Sequence, residues 1–129
     1  MPLLLDTSVA VALLDTVPAI VEHRRDLNET AYLSTVSRIE LIPGLYLGGE
    51  YNQMRAERLD AFLENVEELP FTSREVEAYE QIIAQNGFSR RLIVDRMIAA
   101  TAIANDLALA TLNARDFREI GGLQIEDWS

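Results

Sequence analysis

Several polar residues fall where the strands of a parallel α/β sheet would end. Asp6 follows the apolar run LLL at residues 3–5, which is typical of a fully buried strand. Glu40 lies about one helical turn beyond a second predicted strand. Asp95 opens a helix of small residues, and Thr111 closes the strand that follows it. Ligands of such sheets bind beyond the carboxyl ends of the strands, so we expect these side chains to line one cleft.

Carboxylates gathered in one cleft repel each other strongly. A pair about 4 Å apart costs roughly 4 kcal/mol at a surface-like dielectric constant. A few such pairs would rival the whole stability of a domain, typically ~5–15 kcal/mol. Either a cation neutralises such a cluster or some of its members are protonated. Hard divalent cations prefer oxygen ligands, so the pattern favours a metal-dependent site.

Each acid also has a purely structural alternative. Asp6 and Asp95 are both plausible N-caps of the helices that follow them. Asn113 and Asp116 have the spacing of a capping box with aspartate in place of glutamate. Glu40 could be a solvated helix residue. The order and positions of these residues together favour a site.

Composition excludes several kinds of site. The chain of 129 residues has no cysteine and a single histidine, His23, so thiolate chemistry and a two-histidine zinc motif are excluded. It carries 21 acidic residues against 11 basic ones, a net charge of −10, and every basic residue is arginine. No apolar run approaches membrane-spanning length and no signal peptide is expected, so we expect a cytoplasmic protein with no membrane partner.

Alternating strands and helices predict one domain, residues 1–129, of the α/β class with a mainly parallel sheet covered on both faces. The predicted strands span residues 3–6, 31–34, 66–71, 108–111 and 123–125. The predicted helices span residues 8–14, 18–27, 36–47, 51–65, 73–86 and 94–105. Pro43 should kink or interrupt the third helix just after Glu40.

Three segments together resemble the PIN-domain ribonucleases, and in particular the VapC toxins of bacterial toxin–antitoxin pairs. They are LLLDTSV, SRIELIPG and VDRMIAATAIANDLALATLNARDF, in that order along the chain. The resemblance extends to GGLQI near the end. It implies a three-layer PIN fold and a metal-dependent endoribonuclease that uses Mg²⁺ or Mn²⁺.

The family pattern, transferred position by position, assigns the site residues. It makes Asp6, Glu40 and Asp95 the core acids, and Asp116 the fourth. The positions of supporting polar residues are matched by Thr7, Ser8, Thr111 and Asn113. The resemblance implies that the acids hold the metal and that the reaction hydrolyses RNA phosphodiester bonds.

Partner contacts are predicted on two further surfaces. Three arginines flank Asp95 closely and could contact RNA phosphates or a partner's carboxylates, or merely offset the acids: Arg90, Arg91 and Arg96. An apolar edge is formed by Tyr46, Leu47, Tyr51 and Met54, which core packing would explain equally well. In the PIN family this region commonly helps to build a homodimer and the groove that receives a VapB-like antitoxin.

Two other functions compete with this hypothesis. A haloacid-dehalogenase-like phosphatase also places an aspartate after its first strand, but its D-x-D motif would need an acid where Ser8 stands. The alternative within the same fold is a non-catalytic RNA- or protein-binding module. Pro43 could favour it by displacing the Glu40 carboxylate from Asp6 and Asp95.

Overall fold

The computed structural model describes residues 1–129 and contains one five-stranded parallel sheet in the order β3-β2-β1-β4-β5. The strands are β1 (Leu3–Leu5), β2 (Ala31–Ser34), β3 (Glu67–Leu69), β4 (Ala108–Thr111) and β5 (Gln124–Asp127). The helices are α1 (Thr7–Leu14), α2 (Pro18–Asp26), α3 (Thr35–Leu41), α4 (Gln53–Glu64), α5 (Ser73–Asn86) and α6 (Ile93–Ala104). Short 3-10 helices span Ile42–Gly49, Arg90–Leu92 and Ala114–Asp116.

Two separate hydrophobic cores lie on the two faces of the sheet. Successive side chains of a strand point to opposite faces, so Leu3 and Leu5 pack into one core and Leu4 into the other. The first core includes apolar residues of α1, α2 and α4, and the second includes those of α5 and α6. This arrangement confirms the predicted three-layer α/β fold.

The central strands bring distant parts of the chain together. β1 lies between β2 and β4, with Leu5 in register with Leu33 on one side and Ala110 on the other. The connections from β1 run to one side of the sheet, and β4 and β5 lie on the other side. The crevice at such a reversal of strand order is the usual ligand site of an open parallel sheet. Asp6 and Thr111 stand at its two sides.

The predicted helix over residues 36–47 is shorter than expected. α3 ends at Leu41, and the chain continues as the 3-10 helix Ile42–Gly49 with Pro43 in its first turn. Proline lacks an amide hydrogen and cannot continue the α-helical hydrogen-bond pattern, so the predicted interruption by Pro43 is confirmed. Tyr46 and Leu47 no longer have helical backbone angles.

The edge strands also differ from their predicted bounds. The strand predicted over residues 66–71 is limited to Glu67–Leu69, and the last strand lies at Gln124–Asp127 instead of residues 123–125. Both pair on one side only. No helix of the chain is long and apolar enough to cross a membrane.

Candidate active site

Asp6 is a buried carboxylate that two hydroxyl groups hold in place. It is 4% exposed, and its Oδ2 accepts hydrogen bonds from Ser8 Oγ and Thr111 Oγ1, each at 2.7 Å. Asp6 occupies the N-cap position of α1, yet its side chain makes no capping hydrogen bond. The Asp6 side chain therefore does not cap α1.

Backbone amides fix the direction of these two hydroxyl groups. The N–H of Leu112 donates to Ser8 Oγ at 3.1 Å, and the N–H of Asn113 donates to Thr111 Oγ1 at 2.9 Å. Each hydroxyl oxygen accepts from an amide and directs its own proton to Asp6. Both protons reach Oδ2, so Oδ1 keeps its lone pairs for another ligand.

Glu40 lies in the last turn of α3, next to α1. Its Oε1 accepts a hydrogen bond of 2.5 Å from Thr7 Oγ1, and Thr7 Oγ1 is 2.9 Å from Ser37 Oγ. Thr7 has one hydroxyl proton and uses it in the hydrogen bond to Glu40. The buried Ser37 is therefore the donor in its hydrogen bond with Thr7. Pro43 lies beyond the end of α3 and leaves Glu40 in contact with the residue after Asp6.

Asp95 lies close enough to three other acidic residues for their charges to act on it. Its pKa is raised from 3.8 to about 6, first by burial and then by the negative charges of Asp6, Asp116 and Glu40, in that order. The positive charge of Arg91 opposes them. Asp95 lies in the first turn of α6, whose N-cap is Leu92, so the N-cap alternative for Asp95 is wrong.

Asp116 ends the short 3-10 helix that follows β4. Its Oδ1 is 3.9 Å from a guanidinium nitrogen of Arg91, and its charge acts on Asp95. The capping box of Asn113 and Asp116 does not form, because Asn113 makes no side-chain cap and its amide donates to Thr111. Asn113 is exposed at the rim of the site.

The three arginines predicted to flank Asp95 fall into two groups. Arg90 and Arg91 are exposed, and the Arg91 side chain reaches Asp116. Arg96 requires a correction, because it is 7% exposed and its guanidinium donates to the backbone carbonyl of Gly87. It ties the start of α6 to the end of α5, so it does not offer a charge to RNA or to a partner.

The acidic residues suit a hydrated cation better than a fully enclosed one. No group of three or more histidine, aspartate or glutamate side chains is close enough to hold an ion by itself. Mg²⁺ keeps several of its waters and binds through one or two carboxylates plus substrate phosphate. The atoms available to bind an ion are all oxygens, and Asp6 Oδ1 accepts no hydrogen bond. The side chains therefore fit an ion that is held partly through water.

Sequence reasoning missed one contributor to the site, Ser37. Its only signal is its spacing, three residues before Glu40, which places both side chains on one face of α3. A serine at this spacing is common on helices, so the pattern alone could not identify it. Its function here is to complete the hydroxyl chain through Thr7 to Glu40.

Comparisons with known proteins agree with this geometry. The sequence matches the PIN domain family over residues 3–123. It is 32% identical to the tRNA(fMet)-specific endonuclease VapC of Shigella flexneri, over 98% of this chain and 97% of that protein. It is 33% identical to ribonuclease VapC1 of Rickettsia felis, over 97% and 95% of the two chains.

Solved structures show the same fold. The crystal structure of VapBC2 from Rickettsia felis, bound to a promoter DNA fragment, superposes with a TM-score of 0.85 and 26% identity over the full length of both chains. The family match covers nearly the whole sequence, and the named relatives are ribonucleases. The chain therefore belongs to the PIN-domain family, among the VapC ribonucleases.

Proposed function

We propose that this protein is a divalent-metal-dependent endoribonuclease, with Mg²⁺ or Mn²⁺ as its ion, and that it is the toxin of a toxin–antitoxin pair. The observation that carries the proposal is the position of Asp95, which is partly buried and surrounded by the charges of Asp6, Glu40 and Asp116. A structural role needs no such concentration of like charges. A nuclease that binds a cation and a phosphodiester does.

The hydroxyl network sets the orientation of the acids before any ligand binds. Ser8 and Thr111 donate to one oxygen of Asp6 and leave the other oxygen without a hydrogen-bond partner. Thr7, supported by Ser37, holds Glu40 in the same way. Such preorganisation means that the carboxylates do not have to be ordered when the ion and the substrate arrive.

The ion would be held by Asp6, Glu40, Asp95 and Asp116, directly or through water. Once bound, it would lower the pKa of a water molecule and stabilise negative charge on the phosphoryl oxygens. The protein's own side chains would position the ion. No nucleophilic side chain is required, and RNA hydrolysis would leave a 5′-phosphate.

We further propose that the protein forms a homodimer through an exposed apolar surface. This surface is made of α3, the 3-10 helix after it and the start of α4, and its residues are Ile39, Ile42, Tyr46, Leu47, Tyr51 and Met54. All six are at least 44% exposed, so the alternative that they are core residues is wrong for Tyr46, Leu47, Tyr51 and Met54. An apolar cluster of this kind is typical of an interface with another protein.

The proposed protein partner is a VapB-like antitoxin. An open pocket of about 200 Å³ lies beside the site and is lined by Leu14, Leu41, Arg55, Arg58 and Glu40, among others. A partner segment bound there would lie against Glu40 and restrict access to the acids. The matching crystal structures include VapBC complexes, which supports this assignment. We place the activity in the cytoplasm.

The substitution Asp6→Asn tests the catalytic proposal. It removes one charge and one ion ligand but leaves an oxygen that can accept from Ser8 and Thr111. Cleavage of mixed cellular RNA should fall by more than about 100-fold, since changes even to outer contacts of a metal site cost 10–100-fold. The increase in melting temperature that Mg²⁺ produces should also shrink.

The matched control is Asp60→Asn, which makes the same chemical change at an exposed position of α4. It should cleave RNA and respond to Mg²⁺ like the original protein. Full cleavage by the Asp6→Asn variant, with its Mg²⁺ response intact, would refute the assignment of Asp6. RNA binding without cleavage by the unmodified protein, in either Mg²⁺ or Mn²⁺, would instead support the non-catalytic binding module.

A further inference from the structure

Phe88 is the most exposed large apolar side chain of the protein. It is 65% exposed and belongs to neither hydrophobic core. It lies in the short connection between the end of α5 and the 3-10 helix Arg90–Leu92, which leads directly into α6 and Asp95. Packing therefore does not explain why an aromatic residue stands at this position.

The connection that carries Phe88 is held in place by Arg96 of α6. Gly87 ends α5 with a φ of 77°, a backbone conformation that residues other than glycine rarely adopt. The buried guanidinium of Arg96 donates to the Gly87 carbonyl. Arg96 follows Asp95 directly, so this hydrogen bond fixes the chain beside Phe88 to the helix turn that carries Asp95.

Two arginines lie between Phe88 and Asp95 in the sequence. Arg90 and Arg91 are both exposed, and the side chain of Arg91 is 3.9 Å from Asp116. In a protein with a net charge of −10, two adjacent exposed arginines beside an acidic site are a local exception. Their guanidinium groups can pair with phosphates of a chain that enters the site.

We propose that Phe88 is a stacking platform for an unpaired base of the RNA substrate, while Arg90 and Arg91 hold the phosphates between that base and the acidic site. This inference rests on the proposed ribonuclease function and assigns a base-binding residue to it. Aromatic side chains recognise RNA by stacking on bases that are splayed out of a helix. Bases in a duplex already stack on their neighbours and cannot reach Phe88.

The test measures RNA binding without cleavage. The probe is a short fluorescein-labelled oligoadenylate, and its fluorescence anisotropy is measured with the full-length protein in a chelator. Phe88→Ala should weaken binding about 5- to 150-fold, as expected for the loss of one stacked base. Phe88→Leu should lose affinity to a similar degree, since leucine has no ring, and Phe88→Tyr should bind like the original protein.

Two controls isolate the ring. Val76→Ala shortens a half-exposed apolar side chain on α5 and should leave binding unchanged. Oligoadenylate annealed to oligouridylate should bind more weakly, and Phe88→Ala should not weaken that binding further. The melting temperatures of all variants should agree, because Phe88 is not part of a core.

The inference is overturned if Phe88→Ala or Phe88→Leu binds oligoadenylate like the original protein. It is also overturned if single and double strands lose affinity equally, if the original protein binds neither, or if Phe88→Ala changes only the oligomeric state in sedimentation. The last result would assign Phe88 to a protein interface. The ribonuclease proposal stands or falls separately, on cleavage by the Asp6→Asn variant.

Discussion

Replacing Asp95 by asparagine should stabilise the protein when divalent cations are absent. The pKa of Asp95 is raised from 3.8 to about 6, first by burial and then by the charges of Asp6, Asp116 and Glu40. Each pKa unit corresponds to 1.36 kcal/mol, so the ionised carboxylate costs the folded state up to about 3 kcal/mol. The side chain is only partly buried, and solvent screening reduces this cost to about 1–2 kcal/mol.

The pH dependence of this effect has a definite sign. When a carboxyl group has a higher pKa in the folded state than in the unfolded state, the protein becomes less stable as pH rises between the two pKa values. The Asp95→Asn variant should therefore match the original protein near pH 4 and exceed it above about pH 6. At about pH 7.5 the melting temperature should be higher by about 3–8 °C.

The assay is a thermal melt of both proteins in chelator across this pH range. Asp60→Asn again serves as the control, since it removes the same charge from the total at an exposed position of α4. Adding Mg²⁺ should stabilise the original protein more than the Asp95→Asn variant. If Asp95→Asn is no more stable than Asp60→Asn at about pH 7.5, the argument from crowded carboxylates is wrong.

Two further predictions concern other parts of the molecule. Replacing Arg90 and Arg91 together by alanine should flatten the salt dependence of oligoadenylate binding, because fewer counterions are released; an unchanged slope would exclude phosphate contacts. Glu75→Gln should lower the free energy of unfolding by about 1–3 kcal/mol at neutral pH, measured by urea denaturation. Burial raises the pKa of Glu75, but hydrogen bonds from Thr72 and Asn105 outweigh burial, so the pKa is lower than usual. The difference in unfolding free energy between the two proteins should therefore shrink as the pH falls below about 4.5. A difference that grows in acid would contradict the role of these hydrogen bonds.

The centre of the sheet could be predicted from sequence because its signals are local and strong. The bounds of β2 and β4 agree with their predictions, since short apolar runs between polar segments have few alternative structures. The predicted bounds of the edge strands β3 and β5 are less accurate. β3 consists of Glu67, Glu68 and Leu69, so its sequence carries little apolar pattern, and its strand structure depends on pairing with β2.

The site residues show the same division between local and tertiary information. The positions of Asp6 and Thr111 at strand ends follow from the pattern of strands. The burial of Arg96 does not, because its partner is a backbone carbonyl at the end of another helix. An arginine next to Arg90, Arg91 and Asp95 in sequence has every local sign of a solvated residue, and only the packing of α5 against α6 places it inside.

The hydrogen bond between Thr111 and Asp6 joins residues that are 105 positions apart. β1 pairs with β4 over the same separation, so one side of the central strand has no neighbour until residues 108–111 have been synthesised. Translation at about 5–20 residues per second needs roughly 5–20 s to cover this distance. Throughout that interval the nascent chain on the ribosome lacks one of the two hydroxyl groups that orient Asp6. With Asp6 in its proposed role, this order of synthesis would delay RNA cleavage until almost all of the chain has been made.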